Sequence, residues 1–329
     1  MNATVALFIP HNGCPFRCSF CDQTAITGYT DQPQPEDVIR TAEQGLANLG
    51  DRAKTCELAF FGGSFTCVDR DYRISLLEAA QPFLGNRGFR GIRISTRPDA
   101  VDEDMLRLLK SYGVTTVELG VQSMCDAVLA ENGRGHTSAD VIDSAKRIRE
   151  AGLSLGLQMM TGLPADTPAR SRETAGKLIA LKPDCVRIYP TVVLRGTLLA
   201  DWVAAGRYTP PTLEDTVALC AELADAFEYA GIPVIRMGLH SIDPERYVAG
   251  PWHPAFGEMV ESYRLYHRLR GRIPGPGHYL VTVNDRCVSA LIGQHRSNLR
   301  CFEEEGIHLT LRPDPATDTR DMIVEEVKD

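Results

Sequence analysis

The sequence predicts an α/β protein built on a partial (β/α)6 barrel of the TIM type, with one side left open. Six short apolar segments each precede a segment with helix-starting residues, and glycines and polar residues follow several of these apolar segments directly. Alternating strands and helices are typical of a parallel sheet with helices outside. A complete eight-unit barrel takes about 250 residues, whereas six units here fill residues 4–240 because several loops are long. An open side would let a large substrate reach the centre.

Each unit of the barrel is predicted from local signals. The apolar runs that we interpret as strands are 4–9, 56–61, 91–95, 115–121, 153–160 and 185–189. Proline at the first helical position, aspartate, and threonine as N-cap are typical of helix starts. These signals place helix starts at Pro35, Asp102, Thr137, Thr167 and Thr212. Asp140 stands where a capping box usually has glutamate.

Length and composition predict one large domain, residues 1–240, and a small α+β region, residues 241–329. The chain has 43% hydrophobic and 24% charged residues, as globular proteins do. It shows no apolar run of membrane-spanning length and no signal segment, so we expect a cytoplasmic location. That location keeps thiols reduced. Seven of the ten cysteines stand singly and are mostly expected to be buried: Cys56, Cys67, Cys125, Cys185, Cys220, Cys287 and Cys301.

The other three cysteines follow the first strand with the spacing C-x3-C-x2-C, at Cys14, Cys18 and Cys21. Thiolates are the usual ligands of iron–sulfur clusters. Three of them hold three corners of a four-iron cluster and leave the fourth iron open, which is typical of a reactive site. A zinc knuckle is the alternative, with His11 as its fourth ligand.

This spacing, together with Phe20 before the third cysteine, resembles the radical S-adenosylmethionine (AdoMet) superfamily. The resemblance implies a [4Fe–4S] cluster whose open iron chelates AdoMet. It also implies that the backbone of Gly62 and Gly63 contacts the AdoMet ammonium, with Ser64 where relatives carry glutamate. Glycines permit such a close approach because they have no Cβ. The alternative is that these glycines form only a turn.

Four more residues are candidate AdoMet contacts, because reactive groups in such barrels lie at the carboxyl ends of strands. They are Ser95, Gln122, Arg134 and Gln158. By resemblance, the two glutamines would contact the ribose or the amino-acid end of AdoMet, and Arg134 would pair with its carboxylate. Alternatively, Arg134 is a surface residue in a glycine-rich turn and Gln158 is a buried, satisfied amide. Glu118 is either a further contact or a solvated strand residue.

Longer motifs over residues 4–240 resemble the radical-AdoMet half of the Elongator protein 3 (Elp3) family. They are Glu118-Leu-Gly-Val-Gln-Ser123, Arg134-Gly-His-Thr137, Gly162-Leu-Pro164 and Arg187-Ile-Tyr-Pro-Thr191. This family modifies the wobble uridine of tRNA with a 5′-deoxyadenosyl radical and acetyl-CoA. The resemblance therefore implies a tRNA substrate and an electron donor such as a flavodoxin or ferredoxin. Residues 241–329 are too few for the family's acetyltransferase-like domain, so acetyl-CoA use is not expected.

The C-terminal region is locally basic although the whole chain carries a net charge of −8. Residues 264–300 hold seven arginines, three histidines and one acidic residue. Such a block predicts RNA binding, with Arg272, Arg296 and Arg300 as candidate contacts. Alternatively, these arginines pair with acidic residues of the barrel helices.

The predicted element order of this region is strand 278–283, two helices within 288–305, and strand 307–311. A break at 293–296 separates the helices. This order resembles part of a KH module, which clamps nucleic acid on a G-x-x-G loop, although Arg296 replaces the second glycine. The alternative is a small β/α cap on the barrel.

These observations favour a radical AdoMet enzyme that modifies RNA, with tRNA as the expected substrate. One alternative is a radical AdoMet enzyme that acts on a small molecule such as a porphyrinogen, which would have no use for a basic block. Another is a non-catalytic RNA-binding protein that carries zinc or a cluster, which would have no use for Gly62-Gly63 and Gln122.

Overall fold

The computed structural model describes residues 4–10, 14, 16–21, 31–86, 88–239 and 242–327. The chain divides into two compact units: Met1–Thr216 with Leu223–Trp252, and Val217–Glu222 with His253–Asp329. That residues 1–240 and 241–329 are separate domains remains a prediction.

Seven parallel strands form one sheet in the first unit, in the order β1-β2-β3-β4-β5-β6-β8. Its strands, with the short strand β7 between β6 and β8, are β1 Thr4–Ile9, β2 Glu57–Gly62, β3 Gly91–Thr96, β4 Val114–Gln122, β5 Ser154–Thr161, β6 Cys185–Pro190, β7 Val193–Leu194 and β8 Val234–Met237. The sheet curls into a half-barrel, which confirms the predicted fold class. Strand β8 was missed because it has only four residues, none of them buried. Strand β7 pairs with β9, Tyr247–Ala249, in a separate two-stranded sheet.

Five of the eight helices described up to Tyr229 begin where the sequence predicts, and the three that start at Arg70, Asp126 and Leu198 were not predicted. The eight helices are α1 Pro35–Leu49, α2 Arg70–Ala80, α3 Glu103–Ser111, α4 Asp126–Glu131, α5 Ser138–Glu150, α6 Pro168–Ala180, α7 Leu198–Ala204 and α8 Leu213–Tyr229. Thr137 and Asp140 form the predicted capping box of α5. Thr167 and Thr212 accept hydrogen bonds from the first turns of α6 and α8. Side-chain caps therefore satisfy backbone donors that the helix cannot satisfy itself.

The two faces of the main sheet differ in chemistry, because successive strand residues point to opposite faces. One face contributes fully buried apolar residues, among them Leu58, Phe60, Ile92, Ile94, Val117, Leu155 and Ile188. The opposite face carries buried charges, including Glu57, Arg93 and Glu118. The polar face is the concave interior that a half-barrel offers to a ligand.

The second unit has a three-stranded sheet in the order β11-β10-β12. Its elements are α9 Phe256–Arg270, β10 Gly277–Val283, α10 Val288–Ile292, α11 Ser297–Glu304, β11 Ile307–Pro313 and β12 Met322–Glu326. This confirms the predicted strand–helix–helix–strand order and adds β12. His295 and Arg296 adopt left-handed backbone conformations between the two short helices, where the break was predicted. The KH resemblance remains a prediction.

Four of the seven single cysteines are buried, namely Cys56, Cys185, Cys220 and Cys287. Cys67 and Cys125 are half-buried and Cys301 is exposed, which agrees with the expectation that most, not all, of the seven are buried. Among the helices described, none is long and apolar enough to cross a membrane.

Candidate metal centre and cofactor site

The cysteine loop follows β1 and is tied to two distant segments through Ser19. The Ser19 amide donates to the Asn132 carbonyl at 3.1 Å, and its hydroxyl donates to Asn132 Oδ1 at 2.6 Å. The Ser19 carbonyl accepts from the Leu199 amide at 2.8 Å. Cys18 is buried, while Cys14 and Cys21 are half-buried. His11, the proposed fourth zinc ligand, lies outside the described residues.

Phe20 fixes the same loop to the barrel by its side chain. It packs against the buried cluster of Val128, Met160 and Leu163. This apolar environment accounts for an aromatic residue beside the third cysteine, so packing alone explains Phe20. A contact with AdoMet remains a prediction for this residue.

The Gly62-Gly63 turn lies directly against the start of the cysteine loop. The Gly63 amide donates to the Ile9 carbonyl at 2.7 Å. A Cβ on Gly62 would lie 2.6 Å from that carbonyl oxygen, and Gly62 has φ +111°. The position therefore requires glycine for the close approach of two backbones.

Ser64 uses its side chain to hold this turn rather than to face solvent. Its buried hydroxyl bonds Thr96 Oγ1 at 2.9 Å and accepts from the Arg97 amide at 3.3 Å. The turn after β2 is thus fixed to the end of β3.

Arg134 is 8% exposed, so the alternative of a surface arginine is wrong. Its Nη1 lies 3.5 Å from the Cys18 sulfur, and its Nη2 donates to the Gly120 carbonyl. Within the described residues its buried Nε has no hydrogen-bond partner. A buried donor without a partner is costly, and a bound carboxylate would satisfy it.

His136 lies two residues further along the same loop and was not predicted as a site residue. Its Nε2 is 3.2 Å from the Val121 carbonyl, which can only accept, so Nε2 carries the proton. Its Nδ1 is then a buried acceptor, and no donor to it is found in the described part of the chain. Burial, together with the Arg134 cation, lowers the pKa of His136 to about 4, so the ring is neutral at pH 7. The only sequence signal was its place in the Arg134–Thr137 motif.

The structure brings Gln122 and Gln158 together, and their contact with AdoMet remains a prediction. Gln158 Nε2 donates to Gln122 Oε1 at 2.7 Å. Gln122 has φ +66° and stands at an irregularity in the pairing of β4 with β5. A left-handed backbone at a non-glycine residue is strained by about 1–3 kcal/mol and is typical of functional sites.

A buried chain of ion pairs crosses the interior face of the sheet. Arg93 bonds Glu57 at 2.7 Å and also bonds Glu118, and Arg187 bonds Glu118 in turn. Burial alone would lower the pKa of Arg93, but the carboxylates of Glu118 and Glu57 raise it. Glu118 is 5% exposed, so its interpretation as a solvated strand residue is wrong. Ser95 is half-buried beside Glu118 in the sheet register.

Arg97 is a further site residue that the sequence indicated only by its position after β3. Its Nη1 lies 3.9 Å from the Cys14 sulfur, and its guanidinium stacks over the Phe16 ring at 4.4 Å. Two of the three predicted ligand sulfurs thus each contact a buried guanidinium.

This donor set fits an anionic cluster held by thiolates, because the cations offset the negative charge. Within the described residues, no group of three or more Cys, His, Asp or Glu side chains is arranged around a single ion. A four-iron cluster does not require that arrangement, because each thiolate binds a different iron.

Comparison with known proteins extends these observations. Residues 8–178 match the family described as the Radical SAM superfamily, and residues 183–265 match the Radical_SAM C-terminal domain. The tRNA uridine(34) acetyltransferase of Dehalococcoides mccartyi is 28% identical over 230 residues, covering 60% of this chain and 50% of that protein. That of Methanocaldococcus jannaschii is 27% identical over 307 residues, covering 82% and 56%.

The chain therefore spans about half the length of these curated relatives. Among solved structures, Elp3 of the archaeon Methanocaldococcus infernus, with an N-terminal deletion, superposes with a TM-score of 0.63 at 22% identity. The match covers 82% of this chain and 63% of that chain, and it shows a shared fold. Because the first family match covers more than half of the residues, the chain belongs to the radical SAM superfamily, whose members use a [4Fe–4S] cluster and S-adenosylmethionine.

Proposed function

We propose that this chain binds a [4Fe–4S] cluster through Cys14, Cys18 and Cys21 and acts as a radical AdoMet enzyme on RNA, with tRNA as its substrate. The observation that carries the proposal is the convergence of the cysteine loop with the Gly62-Gly63 turn and the Arg134 loop. A zinc knuckle would need no such convergence, since its ligands suffice for its structure.

The chain's own residues are suited to hold the cofactor and exclude water. When held by Cys14, Cys18 and Cys21, the cluster with AdoMet would supply the radical chemistry needed to remove a hydrogen atom from the substrate. The buried Arg134 Nε is a donor for a carboxylate, and the neutral His136 Nδ1 is an acceptor for an amino or hydroxyl group. The side-chain amides of Gln122 and Gln158, which bond each other at the end of β4, could form hydrogen bonds with the ribose hydroxyls of AdoMet.

RNA as substrate rests on the names of the relatives and on part of the basic block. Four of its arginines form ion pairs with acids of the second unit: Arg264 with Glu261, Arg270 with Glu305, Arg272 with Asp321, and Arg296 with Glu303. These pairs reduce the positive field that the sequence suggests, and Arg272 is the most engaged of the three candidate contacts.

Arg296 and Arg300 carry the remaining case for an RNA contact. The Arg296 pair is long, at 3.8 Å, and its side chain is 68% exposed. Arg300 is exposed, and no ion pair is found for it in the described part of the second unit. Arg296 stands in the turn between α10 and α11, and Arg300 lies within α11; their planar forks suit paired hydrogen bonds to phosphates.

The test uses the reconstituted, anaerobically purified full chain. Cleavage of AdoMet to 5′-deoxyadenosine after reduction is expected in the presence of tRNA, and it should be lost in a triple Cys→Ala variant. Mass spectrometry of tRNA nucleosides, with and without acetyl-CoA, then identifies the modified base. A protein that binds one zinc ion tightly and takes up no iron would overturn the proposal of a [4Fe–4S] cluster. AdoMet cleavage that a porphyrinogen stimulates and tRNA does not would overturn the RNA substrate.

A further inference from the structure

We propose that Arg97 is a positioning residue that raises the reduction potential of the cluster by holding a fixed cation against Cys14. The inference rests on the proposed cluster and goes beyond it, because it assigns a role to a residue outside the ligand set. Three contacts of one guanidinium carry it.

The Arg97 guanidinium is held in one orientation. Its Nε and Nη2 bond the two carboxylate oxygens of Asp99 at 3.0 and 2.9 Å. One face stacks on the Phe16 ring, and Nη1 is left to approach the Cys14 sulfur at 3.9 Å. A paired fork of this kind fixes geometry as well as charge.

The Arg97 guanidinium itself is shielded from solvent. The Arg97 side chain is 4% exposed, and that of Asp99 is 26% exposed. Its backbone is fixed too, since the Arg97 amide donates to Ser64. Charges interact more strongly where water is excluded, so a cation here acts on Cys14 with little screening.

Reduction adds one electron to the cluster and therefore one negative charge. A cation beside a ligand sulfur stabilises the reduced state more than the oxidised state, which raises the potential. Asp99 opposes this effect because it carries the opposite charge two residues away. The two side chains should therefore shift the potential in opposite directions when each is neutralised.

Opposite shifts of the reduction potential in the two variants would distinguish electrostatic tuning of the cluster from structural support of the cysteine loop. Arg97→Gln should lower the ratio of reduced to oxidised cluster about tenfold at a fixed potential, equivalent to 59 mV for one electron. Asp99→Asn should change the ratio in the opposite direction, and Arg97→Lys, which keeps the charge, should fall between Arg97→Gln and wild type. Arg107→Gln and Asp104→Asn change the same charges on an exposed pair of α3 and should leave the ratio unchanged.

The measurement is a redox titration of the reconstituted full chain without AdoMet, with reduced cluster followed by electron paramagnetic resonance and normalised to iron. A wild type without iron would overturn the cluster and this inference together. A loaded wild type whose Arg97→Gln and Asp99→Asn variants shift alike, or not at all, would overturn this inference only. If Arg97→Gln retains no cluster, Asp99→Asn and Arg97→Lys decide: a raised ratio in Asp99→Asn supports tuning, and unchanged ratios in both overturn it.

Discussion

Arg187 holds both carboxylate oxygens of Glu118, with Nε 2.7 Å from Oε2 and Nη2 3.0 Å from Oε1. Arg93 bonds the same carboxylate from β3. One buried anion on β4 thus joins a buried cation on β3 and a half-buried cation on β6. The Arg187 guanidinium also stacks on Phe61 at 4.9 Å, which links this anion to the end of β2.

Glu118→Gln should therefore be strongly destabilising, because it leaves two guanidinium groups without their shared anion. Removing one partner of a buried pair costs about 3–5 kcal/mol. Urea unfolding of the metal-free, reduced protein measures the change. Asp104→Asn removes an anion from an exposed pair and should leave stability almost unchanged. Equal effects of the two variants would contradict the structural role of the network.

Gly62→Ala should loosen the cysteine loop, because the new Cβ would collide with the Ile9 carbonyl and the backbone would remain left-handed. A loss of about 1–3 kcal/mol in the free energy of unfolding is expected, together with fewer irons per chain after reconstitution. Gly176→Ala is the matched control, since it lies inside α6 with nothing within 4 Å of the added Cβ. That change should stabilise by about 0.5–1 kcal/mol, and a similar loss in both variants would contradict the argument.

His136 should make the metal-free protein less stable in mild acid. Its pKa is about 4 in the folded chain and about 6.5 when unfolded. The unfolded state binds the proton more tightly, so this stability is complete above pH 6.5 and is lost as pH falls toward 4. Between pH 7 and 5 the loss should be about 2 kcal/mol.

Urea unfolding at these two pH values checks the role of His136. The His136→Gln variant should lack this part of the pH dependence. The exposed His308 provides the control, and His308→Gln should keep the wild-type dependence. A His136→Gln variant that loses as much stability as wild type would show that other groups titrate.

Arg134→Ala should weaken AdoMet binding to the cluster-loaded chain. Loss of a charged hydrogen bond costs about 1.5–3 kcal/mol. Equilibrium dialysis normalised to iron separates this effect from cluster loss, which matters because Arg134 also contacts Cys18. If the variant binds AdoMet with unchanged affinity per cluster, Arg134 has only a structural role in its loop. Arg107→Ala, which is 76% exposed on α3, should bind AdoMet as wild type does.

The double change Arg296→Ala with Arg300→Ala should weaken tRNA binding and flatten its dependence on salt. Each lost phosphate contact lowers the slope of log affinity against log salt by about one unit. A filter-binding series across salt concentrations measures this slope. Arg40→Ala with Arg107→Ala removes two exposed arginines of the first unit and should leave the slope unchanged. An unchanged slope with a lowered melting temperature in the double variant would make the block structural.

Local signals explain which features were predictable. Apolar runs and N-caps depend on neighbouring residues, so the strands β1 to β6 and five helix starts follow from the sequence. The cysteine spacing is likewise local. The charge network is different, because Glu118 and Arg187 are 69 residues apart and meet only through the sheet register. In the sequence, each of these two residues is an ordinary charged residue within a strand. The roles of Arg97 and His136 likewise become visible only when the folded loops bring them to the site.

The bonds of Ser19 have a consequence for the order of events during synthesis. Its partners are Asn132 and Leu199, so the cysteine loop is made early but is fastened by residues made much later. Contacts between distant residues form slowly because long loops must close first. A nascent chain shorter than about 200 residues therefore carries the three thiols on a loop that lacks at least one of its two anchors. The cluster site is therefore not yet formed while the chain is still short on the ribosome. We expect cluster insertion to follow the emergence of α7.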